Sequence, residues 1–187
     1  MKSVMISIKP KWCKLIASGK KTVEIRKTRP KIETPFKCYI YCTKPSKKYQ
    51  TISGCMVFNS DRLYRHPKSG IKYGDGIEMI LLDEDEYSED NFLNGKVIGE
   101  FICDEITSGF WISPFSDYIQ NQSCLSYDEL CDYANGKPIL AWHISDLVIY
   151  DQPKGLSEFR HCGENYHFNP IVTNPPQSWC YCEEVEE

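Results

Sequence analysis

The period of the apolar residues changes once near the N-terminus, and that change sets a helix-to-strand junction around Gly19. Trp12, Leu15 and Ile16 recur at i, i+3 and i+4, which gives one apolar face to a short helix beginning near Pro10. Proline suits a first turn, where its missing N–H has no helical partner to lose. Gly19 follows the last apolar position, where a left-handed residue closes a helix without a Cβ penalty, and Lys20 and Lys21 lie close to the negative end of the helix dipole. From Thr22 the period is two: Val23 and Ile25 point one way, Thr22, Glu24 and Arg26 the other.

Side chains two apart on a strand project about 6.5–7 Å from each other. Glu24 and Arg26 can therefore pair, or both reach one ligand, with Lys21 at the mouth of the strand. An anion, or a flat group with donors and acceptors, fits between them. The residues alone fit equally a half-exposed strand carrying ordinary surface charges.

The order Gly19-x-Lys21-x-x-Glu24-x-Arg26 resembles the G-x-K-x-x-E-x-R signature of the ASCH family, a branch of the PUA-like superfamily of small β-barrels. Ser7-Ile8-Lys9-Pro10-Lys11-Trp12 is similar to that family's first strand and helix, and Ala141-Trp142-His143-Ile144-Ser145-Asp146-Leu147 to its closing strands. The similarity is strong over residues 3–43, partial to about 150 and weak beyond. It implies an α+β, β-dominated fold, a PUA-like (ASCH) β-barrel with peripheral helices, over residues 1–150. Residues 151–187 are then a C-terminal extension packed on the same domain, with an acidic tail. The resemblance also implies a cleft for RNA or a nucleobase, with Lys9, Lys21, Thr22, Glu24 and Arg26 as its binding residues.

Charge is distributed unevenly. Residues 1–50 hold 14 of the 22 Lys+Arg and 2 of the 26 Asp+Glu, so a net charge of −4 conceals a basic segment that contains the motif. A cationic segment around a cleft is the electrostatic footprint of phosphate binding. Interleaving of the basic and acidic parts in the fold, with mutual neutralisation, is the other reading.

Ten cysteines would suit a secreted disulfide framework, but Met1-Lys2-Ser3-Val4-Met5 has no apolar signal core and no run of 18 apolar residues occurs. The expectation is a cytoplasmic protein with no membrane partner. Cys38, Cys42, Cys55 and Cys103 lie in apolar strand-like runs, where reduced thiols act as small hydrophobes. A hydrophobic content of 41% and an aromatic content of 13% indicate a folded globule.

Further along, residues 3–8, 36–43, 52–64, 77–82, 97–103 and 139–150 read as strands. In the fifth of these Glu100 alternates with Ile98 and Ile102, so it faces the apolar side unless Gly99 marks a bulge. A core-facing carboxylate needs a partner, which makes Glu100 a spare cleft candidate. Ser126 and Glu129 form a capping box that starts a helix ending before Gly136. The basic loop Lys44–Tyr49 offers three lysines and a ring, and Asp83–Asp90 is an acidic loop. Phe110–Phe115 is aromatic enough to be core, a stacking lid or a docking anchor. His161, Cys162, His167, Cys180 and Cys182 are zinc-ligand types, yet Cys-x-Cys lacks the gap of a usual knuckle, so no metal and no cofactor are expected.

Three functions compete. The first is a module that binds RNA or a modified nucleobase or nucleotide. The second is a nucleic-acid-processing hydrolase. Some small ASCH proteins resemble amidohydrolases that remove an acyl group from a modified cytidine with a lysine and a threonine; Lys21 falls on that lysine, whereas Glu24 occupies the threonine's place and leaves Thr22 as the nearest hydroxyl. Lys21 and Glu24 would then be the catalytic pair, Glu24 as general base and Lys21 lowered in pKa by its neighbours. Other members resemble ribonucleases, for which a base and two cations suffice in principle. The third is a protein-interaction module using residues 110–115, with no partner specified.

Overall fold

The computed structural model describes residues 2–44, 50–52, 55–58, 62–66, 68–74, 78–81, 91–109, 117–162 and 170–185. Its elements in chain order are β1 (Ser3–Ile8), α1 (Pro10–Ala17), β2 (Val23–Arg26), β3 (Phe36–Cys42), β4 (Gln50–Ile52), β5 (Cys55–Phe58), β6 (Arg62–His66), β7 (Gly70–Gly74) and β8 (Glu78–Leu81). After these come β9 (Val97–Cys103), β10 (Ile106–Gly109), α2 (Asp117–Ser123), α3 (Tyr127–Ala134), β11 (Ile139–His143), β12 (Ser145–Lys154), β13 (Phe159–His161) and β14 (Trp179–Glu184). The loops expected at 45–49 and 83–90, the aromatic segment 110–115 and His167 lie outside the described residues.

Every residue of β1 is buried, because both faces of its sheet are covered. Val4, Ile6 and Ile8 join Cys13 and Ile16 of α1 and Phe101 of β9 on one face, while Met5 joins Tyr39, Tyr41 and Phe159 on the other. The sheet is six-stranded, in the order β12-β9-β3-β1-β14-β13. Within it β1 and β3 run parallel, with Ile6 opposite Ile40. A parallel pair cannot be closed by a tight hairpin and needs a crossover. Here the crossover is α1 followed by β2, so the motif segment sits on the connection that the sheet itself demands.

β2 lies outside that sheet and pairs antiparallel with β11, in a three-stranded sheet β10-β11-β2. Its apolar residues Val23 and Ile25 pack with Ile119 of α2, Leu130 and Ala134 of α3, and Ile139 and Ala141 of β11. Glu24 and Arg26 consequently face the other way. The capping box of α3 is formed, with Ser126 Oγ accepting from Glu129 N at 3.2 Å and Glu129 Oε2 accepting from Ser126 N at 2.8 Å. Gly19, at φ +71°, closes α1 where the period change places the stop.

Two smaller groups of strands, β4-β5-β8 and β6-β7, complete the β-dominated α+β fold. Strand pairing among the described residues leaves open sheets and does not close into the expected barrel; the large sheet ends at β12 and β13. Residues beyond 150 enter that sheet: β12 runs through position 150, and β14 pairs along β1 with Met5 opposite Cys180. Among the described residues no helix is long and apolar enough to cross a membrane.

β9 carries a bulge. Ile40 pairs with Gly99 but Tyr41 pairs with Val97, leaving Ile98 as the extra residue. Ile98, Phe101 and Cys103 therefore share the first core, and Glu100 turns to the opposite face, where Lys37 lies 2.7 Å away and the Tyr150 hydroxyl donates to it at 2.5 Å. Burial pushes the Glu100 carboxyl up, but the Lys37 and Tyr150 hydrogen bonds outweigh it and hold the group below its ordinary value. On the same face Tyr39 is pushed up to about 12 by burial and then by the Glu100 charge.

Two measurements follow from this sheet. A Cβ on Gly99 would lie 2.3 Å from the Val148 carbonyl oxygen. Gly99→Ala is expected to lower the urea-derived unfolding free energy by about 2 kcal/mol, the scale of core overpacking. Tyr39 has a folded pKa above its unfolded one, so its contribution is present below pH 10 and is lost as pH rises from 10 to about 12. The urea midpoint is expected to fall across that window, and to fall less in Tyr39→Phe.

Candidate functional site

The chain turns out of α1 through Gly19, and both Lys20 N and Lys21 N donate back to Leu15 O, at 3.0 and 3.1 Å. This places the Lys21 stem inside the protein. Lys21 is 2% exposed, and its Nζ donates to the Ser123 carbonyl at 2.7 Å, lies 3.3 Å from Glu24 Oε2 and sits 5.3 Å from the centre of the Trp12 ring. Ser123 ends α2, so the ammonium meets the negative end of a helix dipole.

Glu24 is also buried, and each of its oxygens has its own cation. Lys21 takes Oε2, while an Arg26 terminal nitrogen lies 3.1 Å from Oε1 and donates to the Ser7 carbonyl of β1 at 2.6 Å. The carboxylate therefore survives burial by pairing, the condition under which a buried charge is tolerable. Two cations around one anion leave the floor of the site with a net positive charge.

Above this floor lies a cavity of about 360 Å³. Lys9 and Trp12 bound it on the α1 side, and Glu129 and Tyr133 on the α3 side. Ser7, Thr43 and Gln177 add polar groups at its margin, and Leu125 an apolar one. The Tyr133 phenol is raised in pKa by burial, with the Glu24 charge adding to the rise and Arg26, its hydrogen-bond partner, opposing it. It remains a neutral O–H at physiological pH, able to donate.

Lys9, Lys21, Glu24 and Arg26 thus meet in one cavity. Thr22 does not line it. Its N–H donates to Gln122 O and its carbonyl accepts from Ile144 N, both at 2.9 Å, which holds it between α2 and the corner joining β11 to β12. Glu100, on the far face of the large sheet, is not a cleft residue. Trp142 is the cross-strand partner of Glu24, is fully buried and meets Phe36 edge-on at 5.8 Å, so it backs the site without lining it. His143 points elsewhere, with Nδ1 2.7 Å from Asp104 Oδ1. His161 pairs with Cys182 across β13 and β14, and among the described residues no group of three or more His, Cys, Asp or Glu is placed to hold a metal ion.

Glu129 and Tyr133 were not legible as site residues. They lie one helical turn apart on α3, and that i, i+4 spacing is the single trace they leave.

A family model for the ASCH domain matches residues 6–153. Among solved structures, a tyrosine-to-phenylalanine variant of the ASCH protein of Zymomonas mobilis superposes with a TM-score of 0.56 at 21% identity, covering 100% of this chain and 92% of that one. A structure of ASCH from the same organism gives 0.52 at 20% identity, covering 99% and 88%. At such identities the likeness is one of fold. No curated protein sequence matches the chain.

Removing the carboxylate would leave Lys21 and Arg26 buried beside each other with no anion between them. Glu24→Ala is expected to cost about 3 kcal/mol in urea unfolding, the lower end for breaking a buried ion pair, and Glu24→Gln to cost less because the amide oxygen still accepts one hydrogen bond.

Proposed function

The chain belongs to the ASCH domain family, and on that premise we propose that its cleft binds a nucleobase presented by RNA. The observation that carries the reading is the buried Glu24 carboxylate held between Lys21 and Arg26 at the floor of a cavity flanked by Trp12 and Tyr133. A base is flat and carries donors and acceptors on its edge. Glu24 accepts an N–H from such an edge, and Lys21, which uses two of its three protons on Ser123 and Glu24, donates the third to a ring carbonyl or nitrogen. The aromatic residues offer faces for stacking, worth about 1–3 kcal/mol per base. Lys9 at the margin suits a phosphate.

The same proposal includes a PUA-like barrel, in which the large sheet and the β10-β11-β2 sheet are joined where the chain passes through Ile144 from β11 to β12. It also includes a cytoplasmic site of action, supported by the free thiols of the described cysteines. A second reading, hydrolysis of an RNA or modified-cytidine substrate, is favoured by the close approach of Lys21 to Glu24, a cation beside a candidate general base, in the lining of the cavity.

One experiment separates them: binding of labelled single-stranded RNA across a salt series by wild type, Lys21→Ala, Glu24→Gln and Arg26→Ala, with the RNA recovered and checked for product. Binding is expected to weaken with salt, as counterion release requires, and to fall about 10–100-fold in the Lys21 and Arg26 variants, the scale of one charged hydrogen bond. Intact RNA throughout supports the binding module. Product that vanishes in the Lys21 or Glu24 variant establishes the hydrolase. Salt-independent binding, or none, sinks the nucleic-acid reading.

A further inference from the structure

We infer that the bound strand is gripped at two phosphates, one on each side of the base in the cleft, by Lys11 and Lys27; this rests on the nucleobase reading above. Both lysines are exposed and neither lines the cavity. Each nonetheless stands over an aromatic residue that does. The Lys11 Nζ is 4.7 Å from the centre of the Trp12 ring, and the Lys27 Nζ is 5.0 Å from that of Tyr133.

Each is also tied to a different turn of α3. Lys11 rises from the first turn of α1 and its charge reaches Glu129, whose carboxyl is held low mainly by the backbone of Ser126 and in small part by Lys11. Lys27 follows the last residue of β2 and reaches Tyr133, one turn further along α3. The line from one ammonium to the other therefore runs along the cleft-facing side of α3. Asp128 and Asp132, exposed on the next face of that helix, repel a polyanion from that side, while the Glu129 carboxylate on the path itself is offset by the Lys11 charge.

A strand laid from Lys11 to Lys27 has its base over Glu24, Lys21 and Arg26, and a phosphate beside each lysine. The ammonium stems already lie against rings, which limits the rotamer freedom that phosphate contact would otherwise have to freeze. The partner implied is a single strand: a duplex could not put one base into a cavity of this size without unpairing it.

The test uses the four ribo-homotrinucleotides and their nucleosides, titrated over a salt series against wild type, Lys11→Ala, Lys27→Ala, the double variant and Lys21→Ala. The wild type is expected to bind at least one trinucleotide more tightly than its nucleoside, with a salt dependence that the nucleoside lacks. Each single lysine variant is expected to lower the log–log salt slope by about 0.7, the single-strand value per neutralised phosphate, and the double variant by about 1.4. Trinucleotide binding that needs Lys21 but keeps the wild-type slope in the double variant overturns the two-phosphate grip and leaves the cleft reading standing. No binding of any trinucleotide or nucleoside, or binding indifferent to Lys21, overturns both.

Discussion

Glu24 is the point at which three elements of this fold are tied together. Its two oxygens take Lys21 and Arg26, and each cation passes a hydrogen bond onward to a backbone carbonyl, Ser123 at the end of α2 and Ser7 in β1. β2, α2 and β1 thereby share one buried polar node, although β1 and β2 belong to different sheets. An apolar node of equal volume could be as stable or more so, since burying ions costs several kcal/mol each. What the charged node adds is direction: donors and acceptors have one arrangement that satisfies them, and it aims Glu24 and Lys21 at the cavity.

The apolar packing serves the same arrangement from behind. Val23 and Ile25 commit one face of β2 to α2 and α3, so the alternation of the strand sends Glu24 and Arg26 to the other. Trp142, paired with Glu24 across the sheet and fully buried, backs the site. The helix that supplies Tyr133 and Glu129 to the cleft is itself positioned by Leu130 and Ala134 in the same core. Site and fold are thus two faces of one strand.

Much of this is local chemistry and could be read from the chain: the change of period at Gly19, the capping box at Ser126, the apolar run of β1, and the side on which Glu24 and Arg26 fall. What could not be read depended on contacts between distant residues. Thr22 shares the parity of Glu24, but its backbone is drawn to Gln122 and Ile144, and no residue near it in sequence signals that. Glu100 changed face because Ile98 is inserted into the ladder opposite Ile40 and Tyr41, a register property of two strands rather than of one. β13 and β14 carry little apolar alternation of their own and become strands by pairing with each other and with β1.

That last pairing governs how the molecule can be assembled. β1 lies between β3, reached through a short crossover, and β14, which the ribosome adds some 170 residues later. Until β14 arrives, one edge of a largely apolar strand has its N–H and C=O groups open to any extended segment nearby, its own or another chain's. Contacts of such long range are slow to form, and strand edges left open meanwhile invite aggregation. The cavity is finished no earlier than that edge: the Ser123 carbonyl that takes Lys21 is made long after β1, and Gln177, at the cavity margin, just precedes β14, so one late segment both seals the sheet and completes the site.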